Sequence, residues 1–139
     1  MRLNKLLAVA GMGTLLLPML AQAEDQAALC PRGNATLHGN YMSEGGGTVT
    51  GTGLVAFVGR INFDGDGGLD NPATASRAGT IVHVDLAGTY TVNPDCSGSL
   101  VLAGVQHFDF VVDPHGRKID YIRTDPGTIV SGSASRMDD

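Results

Sequence analysis

The sequence predicts an all-β protein: an antiparallel up-and-down meander of seven or eight strands, closed as a small β-barrel. Three observations lead there. Apolar and polar residues alternate through most segments from Thr36 to Ser135, which is the period of a half-buried strand. Twenty glycines punctuate the chain, and no segment after the first twenty-odd residues sustains the three- and four-residue apolar spacing of a helix. Turn signals recur at near-regular intervals, as DGDGG (64–68), NPDCSG (93–98), DPHG (113–116) and DPGT (125–128). A flat meander of this kind would leave two free edges and one uncovered apolar face, and closure removes both problems. A sandwich is the alternative arrangement of the same pattern.

The chain opens MRLNKLLAVAGMGTLLLPMLAQAEDQ. Arg2 and Lys5 precede an apolar run from Leu6 to Leu20, and Ala21-Gln22-Ala23 supplies small residues for a cleavage point. Charged start, apolar core and A-x-A site are the order of a secretory signal, so residues 1–23 are expected to be a cleaved signal peptide and residues 24–139 a single barrel domain. The apolar run contains Gly11, Gly13 and Pro18 and falls short of the roughly 20 residues a membrane anchor needs. The expected location is outside the cytoplasm, in the periplasm or the extracellular medium, with no membrane span after cleavage. Loss of Arg2 and Lys5 leaves seven basic residues against fourteen acidic ones, taking the net charge from −5 to −7. A phosphate backbone calls for clustered positive charge, so nucleic acid is not an expected partner, and an anionic membrane surface is disfavoured for the same reason.

Along the mature chain, TLHGNYMS (36–43) carries strand formers, and EGGGTVTGTG (44–53) reads as a flexible connection with at most a short strand at Thr48–Thr50. In LVAFVGRINFD (54–64), Val55, Phe57, Ile61 and Phe63 share one face, with Gly59 as a bend. LDNPATASR (69–77) is weakly strand-like, and Pro72 places it at an edge or a bulge. The clearest strand is Thr80–Val92, with Val82, Val84, Leu86, Tyr90 and Val92 on an apolar side and His83, Asp85, Thr89 and Thr91 on a wet one. Gly88 relieves crowding in a strand long enough to bend with a barrel. SLVLAG (99–104) follows, then VQHFDFVVD (105–113), with Phe108, Phe110 and Val112 opposing His107 and Asp109. RKIDYIRT (117–124) sets Ile119, Tyr121 and Arg123 against Lys118, Asp120 and Ile122, and IVSGSAS (129–135) closes the series.

Cys30 and Cys96 are the only cysteines. In an oxidising compartment an even count without C-x-x-C spacing suits a structural bridge. The bridge would pin the N-terminal segment to the turn at Cys96 and, in the chain-entropy model, stabilise the fold by roughly 4 kcal/mol.

GTYTVNPDCSGSL (88–100), HFDFVV (107–112), the ending YIRTDPGTIVSGSASR (121–136) and, upstream, AFVGRINFDGDG (56–67) together resemble an uncharacterised family of small exported bacterial proteins. The likeness covers most of the mature chain. More distantly, the strand rhythm is similar to that of the allene oxide cyclase-like barrels, which include dirigent-type proteins and some bacterial polyketide cyclases. That resemblance implies a barrel that holds an apolar or reactive small molecule and steers its cyclisation or coupling by shape and a few polar groups. No catalytic residue of those proteins carries over to a position here.

The residues themselves offer few reactive constellations. DGDGGLD (64–70) has oxygen ligands at the first and third positions of a calcium loop but Gly68 at the fifth and no flanking helices, so it reads as a hairpin turn. His83 with Asp85 and His107 with Asp109 form two H-x-D pairs opposite the apolar faces, which reads as a solvated wall, and no metal or cofactor is expected. No serine sits in a G-x-S-x-G elbow, and GGGTVTGTG lacks the lysine and helix of a phosphate loop. Tyr41, Tyr90, Tyr121 and Arg123 remain as candidate ligand-binding residues. A buried tyrosine hydroxyl, or an arginine near a strand end and hence a barrel mouth, can orient a ligand or stabilise developing negative charge.

Three functions fit this sequence. The first is an exported barrel that binds a small hydrophobic molecule in its interior. The second is a cofactor-free cyclase or isomerase of the allene oxide cyclase-like type. The third is a structural, envelope-associated protein whose barrel is filled by its own side chains. An interior cavity of about 300 Å³ or more separates the first two from the third.

Overall fold

The computed structural model describes residues 27–138. The expected signal peptide lies outside the described residues. Among those described, no helix is long and apolar enough to cross a membrane. A 3₁₀ turn, Gly33–Thr36, precedes eight strands: β1 Gly39–Val49, β2 Gly53–Phe63, β3 Gly68–Arg77, β4 Thr80–Val92, β5 Ser97–Leu102, β6 Gln106–Val112, β7 Lys118–Arg123 and β8 Thr128–Arg136. Each strand pairs antiparallel with its sequence neighbour, and β1 pairs with β8 from Tyr41↔Arg136 to Val49↔Thr128, closing the barrel.

Alternation sets which side chains face inward. Tyr41 and Ser43 on β1, Ile61 and Phe63 on β2, Tyr90 and Val92 on β4, Phe108, Phe110 and Val112 on β6 and Ile119 and Tyr121 on β7 are all buried. Each such apolar side chain removed from water contributes about 1.5–3 kcal/mol. A slip of one residue would turn a whole strand inside out, and the pairings hold one constant register per strand pair.

The two ends differ. At the end where β1 begins and β2 finishes, Tyr41, Phe63 and Tyr90 stack edge to face, at centroid distances of 5.1 Å for Tyr41–Phe63 and 4.9 Å for Phe63–Tyr90. The segment from Cys30 to Leu37 lies across this end as a plug. Leu37 and Thr36 are buried, and the Tyr90 hydroxyl donates to the carbonyls of Asn34 and Leu37, each at 2.9 Å. The Asn34 side chain accepts the Val92 N–H at 2.8 Å. The Cys30–Cys96 disulfide ties the plug to the β4–β5 turn, as the cysteine count suggests. Cys96 there has φ +68°, the left-handed position that a hairpin turn usually gives to glycine. Gly116 completes the seal. It sits at φ +67°, where a Cβ would lie 1.9 Å from the Thr36 carbonyl oxygen, and its own carbonyl accepts the Tyr41 hydroxyl.

Three local expectations are corrected. Glu44–Val49, read as a flexible connection, is the second half of β1 and pairs on both sides. Closure supplies two neighbours, and their ladders outweigh the poor strand propensity of three glycines. Pro72 marks neither an edge nor a bulge. It stands inside β3, paired with Asp85 of β4, and the β2–β3 ladder keeps its register while skipping Arg60 and Ile61. The missing N–H of proline falls in that gap, and the Asn71 side-chain amide donates to the Arg60 carbonyl at 2.9 Å. The outer wall is not uniformly wet, because Leu54, Val58, Ile81 and Ile129 point outward and are exposed. The longest stretch paired on one side only is Thr80–Leu86 of β4, which has a strand neighbour on the β3 side.

Candidate functional site

At the other end the barrel is open, and a cavity of about 320 Å³ descends from its mouth. The space exists because inward positions that could hold large side chains hold small ones. β3 contributes Ala73 and Ala75, where a leucine at either would fill the lumen. The glycines of β1 and β8 do the rest. A Cβ at Gly132 would stand 2.6 Å from the Tyr121 hydroxyl, and one at Gly45 would stand 2.6 Å from the Phe57 ring. Without those carbons both rings lie against the wall instead of across the lumen. Gly45 of β1 and Gly132 of β8 therefore shape the cavity.

Most of the lining is apolar, and the exceptions sit at two depths. Deep in the cavity, the Ser43 and Tyr121 hydroxyls are 2.7 Å apart, and the Tyr121 hydroxyl also donates to the Glu44 carbonyl at 3.2 Å. Tyr121 is held between Phe57, stacked at 6.4 Å, and Phe108, edge-on at 5.8 Å. Burial pushes its phenol up to about 12, against the opposing pull of the Ser43 hydrogen bond. At neutral pH it is a hydrogen-bond donor and not a base.

At the strand ends of the mouth stand Arg77, Gln106 and Arg123, and Asn71 lies further down β3. The Arg123 Nε donates to Asp125 Oδ2 at 2.7 Å. Asp125 Oδ1 lies 2.7 Å from His107 Nδ1, and the His107 backbone N–H reaches Oδ2 at 3.0 Å. The Arg123 guanidinium, then the His107 ring, hold the Asp125 carboxyl well below the usual carboxylate range. Asp125 thereby fixes Arg123 against the rim.

Of the four candidate residues, the fold brings Tyr121 and Arg123 onto the cavity wall, two positions apart on β7. Tyr41 and Tyr90 lie beneath it in the plugged end, with their hydroxyls engaged by backbone carbonyls. Ser43, Asn71, Arg77, Gln106 and Asp125 were missed. The signal for Arg77 was present: the inward frame of Leu69, extended by twos through Asn71, Ala73 and Ala75, ends on it.

The other constellations fall outside the cavity. His83 and His107 stand on β4 and β6, which β5 separates, and face outward. His83 Nδ1 lies 3.1 Å from the Thr74 hydroxyl. Asp64 Oδ1 accepts the N–H groups of Asp66 and Gly68 at 2.7 and 2.9 Å, closing the β2–β3 turn on itself. Comparison with protein-family models, curated proteins and solved structures gives no match.

Proposed function

We propose that this protein is an exported small β-barrel that binds a small hydrophobic molecule in its open end. One observation carries the reading: a mostly apolar cavity of about 320 Å³ with a few polar groups in its wall. Ligand sites are typically concave and apolar, about 300–1,000 Å³ in size, with a few convergent polar groups that fix orientation. The disulfide is compatible with export. The resemblance to allene oxide cyclase-like barrels supports the same use of the interior. A cyclase or isomerase activity would draw on Tyr121, whose protonated phenol could hydrogen-bond a developing oxyanion at the cavity floor.

The test is mass spectrometry of protein isolated from its native source under non-denaturing conditions, beside the Ala75→Phe variant. Ala75 lines the cavity between its ladder partners Phe57 on β2 and Val82 on β4, so a phenyl ring there occupies the cavity. A retained small apolar molecule, lost in Ala75→Phe while the melting temperature holds, is the expected result. Absence of any retained molecule, together with no uptake of added 1-decanol by the wild type, would remove the proposal.

A further inference from the structure

Arg77 and Arg123 are the last residues of β3 and β7. In an eight-stranded barrel those strands are four apart in either direction, so the two arginines stand on opposite walls of the mouth. Among the described residues they are the only charged ones that line the cavity. Their electrostatic situations differ. Arg123 is paired with Asp125, whereas Arg77 has no ion-pair partner among the described residues. Asp125 is the single acidic residue in the four turns at the open end, while the turns at the plugged end carry Asp64, Asp66, Asp95 and Asp113. A chain of net charge −5 thus places an uncompensated positive charge at the one opening to its interior. Apolar walls and a concave rim strengthen such a field over what the same charge would exert in open water.

Resting on the reading of the cavity as a ligand site, we propose that the ligand is an amphiphile with one anionic end, its apolar body in the barrel and its anion at the mouth on Arg77. The anion's second contact is the Arg123 guanidinium face left by Asp125. At the ~30 Å³ that one water occupies in the liquid, the cavity holds roughly ten heavy atoms, which is the body of a medium-chain acid. Arg77 carries the larger share of the recognition, because Asp125 already offsets the charge of Arg123.

Calorimetric titration with decanoate and with 1-decanol, probes that share one chain and differ in head charge, tests this. Decanoate should bind about tenfold more tightly than decanol, with a preference that shrinks as salt is raised. Arg77→Gln should collapse that ratio, and Arg123→Gln should reduce it by less. Equal affinities in the wild type overturn the anionic ligand and leave the cavity reading standing. Failure of both probes to bind overturns the cavity reading itself. A preference undiminished in Arg77→Gln overturns the role given to Arg77. Arg77 is exposed at a strand end, so the variant folds, and its melting curve checks that.

Discussion

The plugged end and the open end of this barrel are built from the same eight strands and differ in what stands inside them. At the plugged end, three aromatic rings meet edge to face, their two hydroxyls are engaged by backbone carbonyls, and a disulfide holds a lid of chain across the opening. At the open end, alanines and glycines leave a space, and side chains with charge reach its rim. One half is packed as protein interiors are. The other half forgoes that packing. A barrel of eight strands can fill its lumen or leave room for one ligand, and this one fills the plugged half and leaves a cavity in the other. The short strands β5, β6 and β7 wall the lumen against longer ones, so the mouth is lower on that side, where β4 runs on from Thr80 to Leu86 with β3 as its one strand neighbour.

If stability resides at the plugged end, breaking it there should cost most. Replacing Cys30 and Cys96 together with alanine frees the plug and the 66-residue separation the bridge spans. A loss of about 4 kcal/mol is expected in urea unfolding. A loss below about 1 kcal/mol would mean that the 3₁₀ turn and its hydrogen bonds hold the plug unaided.

The next contrast is between matched side chains at the two ends. Ile119 is fully buried among Val112 and Ala134 at the plugged end, and Ile119→Ala should cost about 3 kcal/mol. Val84, on the half-buried cavity wall of β4, should cost about 1 kcal/mol or less on the same truncation. Equal losses at the two positions would dissolve the distinction between a packed half and an open one.

Much of this division was legible in the sequence, and the reasons differ by element. Alternation in Thr80–Val92, Gln106–Val112 and Lys118–Arg123 reports directly on burial, because each inward side chain meets the lumen and each outward one meets water. The turns carried their own chemistry in Asp-Gly, Asn-Pro-Asp and Asp-Pro-Gly. The glycine run of β1 was not legible as a strand, since the reason for Gly45 lies in the Phe57 ring, twelve residues on, and in the β8 backbone at Ser131, brought beside it only by closure. Asn34 was equally silent, because its partner Val92 is brought to it only by the plug. Arg123 could be placed near a mouth from its own strand. That Arg77 stands across from it depends on the order of strands around the barrel, which no local pattern encodes.

The smallest expected effect sharpens the comparison by using tyrosines from both ends. Burial raises the phenol pKa of Tyr41, Tyr90 and Tyr121 above the ordinary value of 10.0, Tyr121 to about 12. A group that holds its proton longer when folded contributes stability that is fully present below pH 10 and is lost as pH rises through the folded-state value. Stability should therefore be flat up to about pH 9 and fall between pH 10 and 12, with Tyr121 contributing about 2 kcal/mol of the decline. Tyr121→Phe should cost about 1 kcal/mol at neutral pH, because the buried Ser43 hydroxyl loses its partner. The same variant should decline less steeply than the wild type above pH 10, so that the two curves converge and cross. Urea unfolding followed from pH 7 to 12, with phenolate absorbance read on the same samples, measures both. Parallel curves would mean that the Tyr121 ring is wet in solution, and the floor of the cavity would then be open to water and not sealed by the aromatic cluster beneath it.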